Sequence, residues 1–333
     1  MNGEINPERM SLRVLGCGSA RPVVDRYPSA HALFLRGKVF LIDCGEGIQT
    51  QLLRYRIPVA DLHRIFITHL HGDHTLGLPG LMSTLSLLGF DHPCYIYGPK
   101  GTEEFVRRVV LCFCSEDAAG NIIARDIEPA TGEEGKPMEV YRDKSVRVTA
   151  FGLNHRDIPC IGYRFDETPL LPHLVREMAD FYEIPVSFFG RLKAGEDYVA
   201  PDGTVVPAAS VTRPNRRPSS FAFCSDTSYF PQIIPYIQGV DLLYHEATYT
   251  EDEALKAHQR GHSTAREAAQ IARKAAARSL LVGHFSSRYK SDEAVEALRR
   301  EAAEIFPRTM SAKEGLLIDF GALDDPELYG TLH

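Results

Sequence analysis

The chain has 333 residues, 44% of them hydrophobic, which suffices for one large domain or two with a sizeable core. A formal net charge of −7 excludes a global electrostatic footprint for nucleic acid, so any polyanion-binding surface must be a local patch. Seven cysteines, at 17, 44, 94, 112, 114, 160 and 224, show no paired framework, and an odd count argues against a disulfide-stapled domain. No run is long or apolar enough to cross a bilayer, and residues 1–10 lack the basic and apolar blocks of a signal peptide, which predicts a cytoplasmic protein with no membrane partner.

In chain order, residues 12–15 read as a strand running into the glycine-rich turn Gly16-Cys-Gly-Ser-Ala-Arg-Pro22. That turn lacks a following helix signal and the Lys-Ser/Thr ending of a phosphate cradle. Residues 30–36 and 39–43 read as a hairpin, and 48–55 as a short amphipathic helix. The apolar run from Ile65 then ends in His69-Leu-His71-Gly-Asp73-His74, four potential metal ligands within six residues. On an extended segment residues two apart point the same way, so His69 and His71 can share one metal, while Asp73 and His74 fall at the turn and face a second position. Gly72 is expected to free that turn, with Gly77 and Pro79 punctuating the chain just beyond it. Imidazole with carboxylate suits Zn2+, with Mn2+ or Fe2+ also possible.

Downstream, residues 81–88 and 102–113 read as helices, the latter capped by Thr102, with strands at 94–97, near 122 and at 146–153. Residues 166–200 interrupt this alternation and read as an inserted arm splitting a single domain of residues 10–165 and 201–333. The arm holds seven acidic residues against three basic ones, which is poor for gripping phosphates, so the loop with Arg213, Arg216 and Arg217 is the local source of positive charge. That its aromatic residues Phe181, Tyr182, Phe188 and Phe189 pack a dimer or a small hydrophobic cluster is a reading of similar weight to an arm that grips nucleic acid. Strands resume at 221–225, 241–245 and 280–282, and a helix spans 263–277 with Ser263 as its cap. Four ligands in one stretch cannot close two tetrahedral sites. His155, Asp226 and His284 each stand just after a predicted strand and supply what a two-metal site still needs, one more His per metal and a bridging carboxylate.

Thr68-His-x-His-x-Asp-His74 after an apolar strand resembles the signature of the metallo-β-lactamase fold, which implies an α/β, four-layer αββα sandwich. Asp43-Cys-Gly-Glu-Gly47, Asp226-Thr227, His245-Glu-Ala-Thr248, Gly261-His-Ser-Thr264 and His284-Phe-Ser-Ser-Arg-Tyr289 further resemble ribonuclease Z, the tRNA 3′-processing endonuclease family, over most of the chain. The resemblance implies one zinc held by His69, His71, His155 and Asp226, and a second by Asp73, His74, Asp226 and His284. It implies Asp43 as support for the ligand loop, His262 as general acid oriented by Glu246, precursor tRNA as substrate and a homodimer. Asp73 can also accept a proton from the nucleophile. Arg288, with Ser286 nearby, can hold a phosphate oxygen or serve as a structural ion pair. Where the family reads Pro-x-Lys-x-Arg-Asn, this chain has Val24 and Tyr27, and the arm's usual Gly-Pro is Val186-Ser187. Two rival readings keep the metal site: a small-molecule phosphodiesterase or esterase, and a non-catalytic metal-binding interaction protein.

Overall fold

A computed structural model describes residues 5–24, 26–129 and 137–329. It divides into two compact units, Met1–Asp166 with Ser219–His333, and Glu167–Pro218. Among the described residues no helix is long and apolar enough to cross a membrane.

The larger unit is built on two seven-stranded sheets. In the first, Lys38–Ile42, Leu62–Phe66, Cys94–Pro99 and Ile122–Ile127 run parallel, and Ala30–Leu35, Ser11–Gly16 and Leu317–Asp319 extend it antiparallel. In the second, Ser220–Cys224, Leu242–Glu246, Ser279–Gly283 and Thr309–Ser311 run parallel, flanked by Ile161–Glu167, Val146–Gly152 and Met138–Arg142. Side-chain alternation sorts the hairpin residues by face. Leu33, Leu35, Phe40 and Ile42 join the cluster that holds Phe165, Phe221 and Phe223 of the second sheet. Their neighbours Ala32, Phe34, Val39 and Leu41 pack instead with Leu52, Leu81 and Leu85 of the helices Ile48–Arg54 and Gly77–Leu87. Phe165 ties the sheets together, edge-on to Phe66 at 5.3 Å between centroids and 6.1 Å from Phe40. Helices on the outer faces complete the αββα sandwich.

Several helix boundaries differ from the sequence reading, for local reasons. The 102–113 segment is α-helical only over Thr102–Phe105 and continues as a π and then a 3-10 turn. Its cap is Gly101, at φ 100°, while the Thr102 hydroxyl donates to the Pro99 carbonyl at 2.7 Å. The 263–277 helix is Ala265–Lys274, capped by Thr264 in a capping box with Glu267. Ser263 is released from capping because its hydroxyl donates to the Thr227 carbonyl at 2.7 Å.

The smaller unit has its own core of Ile184, Leu192, Val206, Ala208 and Val211. Strand Thr212–Arg213 pairs with His173–Leu174, and Val205–Val206 with Tyr198–Val199. These pairings carry the unit to Pro218, past the boundary expected at residue 200. Arg216, expected to present charge, makes a two-pronged ion pair with the buried Glu167 carboxylate, at 2.5 and 2.6 Å. Phe188 lies under the Arg191 guanidinium and Phe189 under that of Arg176, while Phe181 stays exposed.

Candidate active site

The sequence-predicted residues gather at the C-terminal ends of strands, where sheet hydrogen bonding stops and loops are free to carry ligands. Asp43 follows Lys38–Ile42, His155 follows Val146–Gly152, Asp226 follows Ser220–Cys224 and His284 follows Ser279–Gly283, while Glu246 closes Leu242–Glu246. After Leu62–Phe66 the chain passes through His69 and His71 into a single helical turn, Gly72–Thr75. Gly72 itself is helical and needs no glycine freedom. The essential glycine is Gly77, where a Cβ would stand 2.1 Å from the Gly45 carbonyl oxygen.

His69, His71, His155 and Asp226 offer ligand atoms all within 4.8 Å of one another. His69 Nε2 is 3.0 Å from His71 Nδ1, and Nε2 of His69 and of His155 each lie 3.8 Å from Asp226 Oδ2. Asp73, His74 and His284 form a second such group. There the Nε2 atoms of His74 and His284 face each other at 3.3 Å, each 3.5 Å from Asp73 Oδ2. Asp226 Oδ1 is 3.4 Å from His74 Nε2 and 3.2 Å from His284 Nε2, so this carboxylate turns one oxygen to each group.

A surrounding layer fixes the rings. Asp43 accepts from the Thr68 amide at 2.8 Å, the Ser29 hydroxyl at 3.0 Å and His74 Nδ1 at 2.7 Å, leaving His74 Nε2 to the cluster. His155 Nδ1 donates to the Gly261 carbonyl at 2.8 Å, and His284 Nδ1 meets the Thr248 hydroxyl at 3.0 Å. The Ala20 amide donates to Asp73 Oδ2 at 2.7 Å. Asp43, His284 and Ala20 all hold left-handed backbone, with φ of 58°, 60° and 66°, a strain that the packed surroundings must sustain.

The donor set fits bound cations. Asp43, Asp226 and Glu246 are buried and Asp73 nearly so, yet among the described residues no Lys or Arg pairs with any of them. Burial disfavours the Asp73 and Asp226 carboxylates, but His74 and His284 hold both far below the usual carboxylate range. Burial also pulls His74 down, while Asp43, Asp73 and Asp226 together drive it well above an ordinary imidazole. A metal placed between the facing nitrogens would meet the same demand for positive charge.

Glu246 lies beside this cluster with its carboxylate fully engaged. It accepts from the Thr227 amide at 2.8 Å, the Thr248 hydroxyl at 2.5 Å and His262 Nδ1 at 2.8 Å. Burial lowers the His262 pKa, but Glu246, then Asp226 and Asp73, outweigh it and raise the ring to about 9. The Glu246 carboxylate thus favours the protonated form of His262. His262 could also group with Asp226 and His284 as a ligand, but its Nδ1 is taken by Glu246, which favours an acid over a ligand.

His262 lines a cavity of about 270 Å3 with Arg21, Arg260, Arg288, Lys290 and Ser286, and among the described residues no carboxylate lines it. Arg288 is not a free cation: its guanidinium pairs with Glu253, bonds the Ser286 hydroxyl at 3.1 Å and lies over the Tyr249 ring. The pairing is the structural ion pair that was one of the two expectations for Arg288, and it holds the side chain at the cavity wall. Sequence reasoning missed Thr248, which touches both Glu246 and His284, and it missed Arg21 and Arg260. The word His-Glu-Ala-Thr contains the first; nothing in sequence spacing marks the other two.

The rim of buried imidazoles and carboxylates on an αββα sandwich defines a protein of the metallo-β-lactamase fold. Consistent with this, a family model described as "Beta-lactamase superfamily domain" matches residues 196–285, and one described as "Anti-Pycsar protein Apyc1" matches residues 10–113. A Bacillus subtilis metallo-β-lactamase fold protein, YhfI, shares the fold at TM-score 0.66 and 20% identity, over 94% of this chain and all of its own. The chain belongs to the ribonuclease Z family: it is 46% identical to Ribonuclease Z of Parabacteroides distasonis, over 92% of this chain and 97% of the relative. It is 43% identical to Ribonuclease Z of Bacteroides thetaiotaomicron over 98% and 100% of the two chains. The crystal structure of human tRNase Z, short form, superposes at TM-score 0.66 with 26% identity, over 93% of this chain and 99% of the human one.

Proposed function

We propose that this protein is a zinc-dependent endoribonuclease that hydrolyses the phosphodiester 3′ of the discriminator base of precursor tRNA, leaving a tRNA 3′-hydroxyl and a 5′-phosphorylated trailer. The observation that carries the reading is the Glu246–His262 pair opening onto a pocket of four cations, in a ribonuclease Z family chain whose net charge is −7. Two Zn2+, or Mn2+ or Fe2+ in their place, would be held by His69, His71, His155 and Asp226 and by Asp73, His74, Asp226 and His284, lowering the pKa of a water and offsetting charge on the dividing phosphodiester.

The chain's own groups do the rest. His262 gives its proton to the ribose O3′ as the P–O3′ bond breaks, while water oxygen forms the new P–O bond and Asp73 accepts the proton that water loses. Arg288 and Ser286 hold an oxygen of the scissile phosphate, and Arg21, Arg260 and Lys290 attract the RNA backbone next to it. The protein acts in the cytoplasm as a homodimer, for which the exposed apolar residues Leu87, Leu88, Val109 and Phe113 offer a face to a second copy.

Metal-loaded protein should cut precursor tRNA as well as bis(4-nitrophenyl) phosphate. Hydrolysis of the aryl ester with intact RNA would instead point to a small-molecule phosphodiesterase, and two bound metals with neither activity to a non-catalytic protein.

A further inference from the structure

The loop of residues 153–160 has two working faces. On one, His155 joins the candidate ligands and donates to the Gly261 carbonyl. On the other, Arg156 and Ile158 wall a cavity of about 360 Å3 whose floor includes Ile127, Leu153 and Ile161 and whose far rim is Lys100. That rim is attached to the ligand stretch, because a Cβ on Gly101 would stand 3.2 Å from Leu70 Cδ1, between His69 and His71.

Arg156 is the unusual residue of the loop. It holds left-handed backbone at φ 56°, fixed by the Leu153 amide bonding the Cys160 carbonyl at 2.9 Å and the Ile158 amide bonding that of His155 at 3.1 Å. Its stem crosses Gly261, where a Cβ would lie 2.8 Å from Arg156 Cγ, so the side chain passes one residue from His262. Its guanidinium is exposed and makes no ion pair or hydrogen bond among the described residues. Lys100, by contrast, shares its charge with Glu128 at 3.7 Å, and Asp157 also stands on the rim, so Arg156 is the group here poised for a single anion.

We infer that this cavity is the subsite for the first trailer nucleotide, with Arg156 pairing with the trailer's phosphate backbone and the apolar floor receiving its base. The inference rests on the endoribonuclease reading, and strand polarity supports it. His262 protonates O3′ of the discriminator, so the tRNA side of the scissile bond occupies the cation-lined pocket that contains His262. The nucleotide that keeps the phosphate must leave by another route, and the cavity walled by the loop that carries His155 is ligand-sized and partly apolar.

The test is product inhibition of precursor cleavage by two probes, the 5′-phosphorylated trinucleotide pUUU and a tRNA ending at its discriminator. Arg156→Gly, which keeps the left-handed backbone, is expected to raise the inhibition constant of pUUU at least tenfold and that of the tRNA less than twofold, with Arg156→Lys recovering part of the loss. In the unaltered protein, pUUU lacking its first base should bind at least tenfold more weakly than pUUU. An equal change for both probes, no change for pUUU, or indifference to the first base would overturn the subsite. Absence of any RNA cleavage is a different result and sinks the endoribonuclease reading itself.

Discussion

Glu246→Gln removes one charge from a group that the fold surrounds with donors, and the consequence can be worked out at His262. The rise of the His262 pKa from 6.5 to about 9 amounts to roughly 3 kcal/mol of preference for the protonated ring, and Glu246 is the largest of the groups that raise it. With a neutral amide at 2.8 Å, burial acts with less opposition and the ring loses its proton at lower pH. Because the proposed acid must be protonated, the alkaline limb of the kcat profile should move to lower pH in Glu246→Gln. At neutral pH, kcat on precursor tRNA should fall by about 10²- to 10⁴-fold, the usual weight of a general acid. His262→Ala should fall similarly and lose the limb altogether. The decisive comparison uses bis(4-nitrophenyl) phosphate, whose leaving group departs without a proton: both variants should lose far less on it than on RNA. Equal losses on both substrates, with metal content and fold intact, would refute the assignment of His262 as the acid.

Metal counting separates the proposed ligand sets. Asp226→Asn, which touches both groups, should bring bound zinc well below one per chain by elemental analysis, whereas Asp73→Asn should retain about one, because the His69 group stays whole. His31 is fully buried, without a hydrogen bond among the described residues, against the rings of Phe223 and Tyr244, and burial lowers its pKa to about 3. Its folded pKa lies below the unfolded 6.5, so the unfolded chain binds the extra proton and stability is lost as pH falls from about 6.5 toward 3. The full effect is up to about 5 kcal/mol. Urea unfolding in a chelator should show a shallower acid loss in His31→Leu than in wild type. Sedimentation velocity should show a dimer that Leu87→Glu with Phe113→Glu converts to monomer without loss of fold.

Much of this site could be read in the sequence because its candidate ligands are of rare type and sit where strands end. The spacing of His69, His71, Asp73 and His74 is local, so their two-sided arrangement needs only the alternation of an extended chain. His155, Asp226 and His284 were legible as positions after strands. The turn chemistry was less so: Gly72 was expected to free the backbone, but Gly77 carries the tight approach, since it lies against Gly45, which is distant in sequence. Thr102 and Ser263 look like caps by residue type and are not, because nearer carbonyls take their hydroxyls. The engagement of Arg216 by Glu167 and of Arg288 by Glu253 depends on tertiary pairing that no spacing predicts. The same holds for Arg156, whose neighbour Gly261 lies more than a hundred residues away.

The most direct test of the account is cleavage of one precursor tRNA bearing a 3′ trailer by zinc-loaded protein, with both new ends mapped. The account predicts a single cut after the discriminator, a 3′-hydroxyl on the tRNA and a 5′-phosphate on the trailer, abolished by a chelator and restored by zinc. A cut that survives the chelator, a 3′-phosphate on the tRNA, or no cut by fully metal-loaded protein would contradict it.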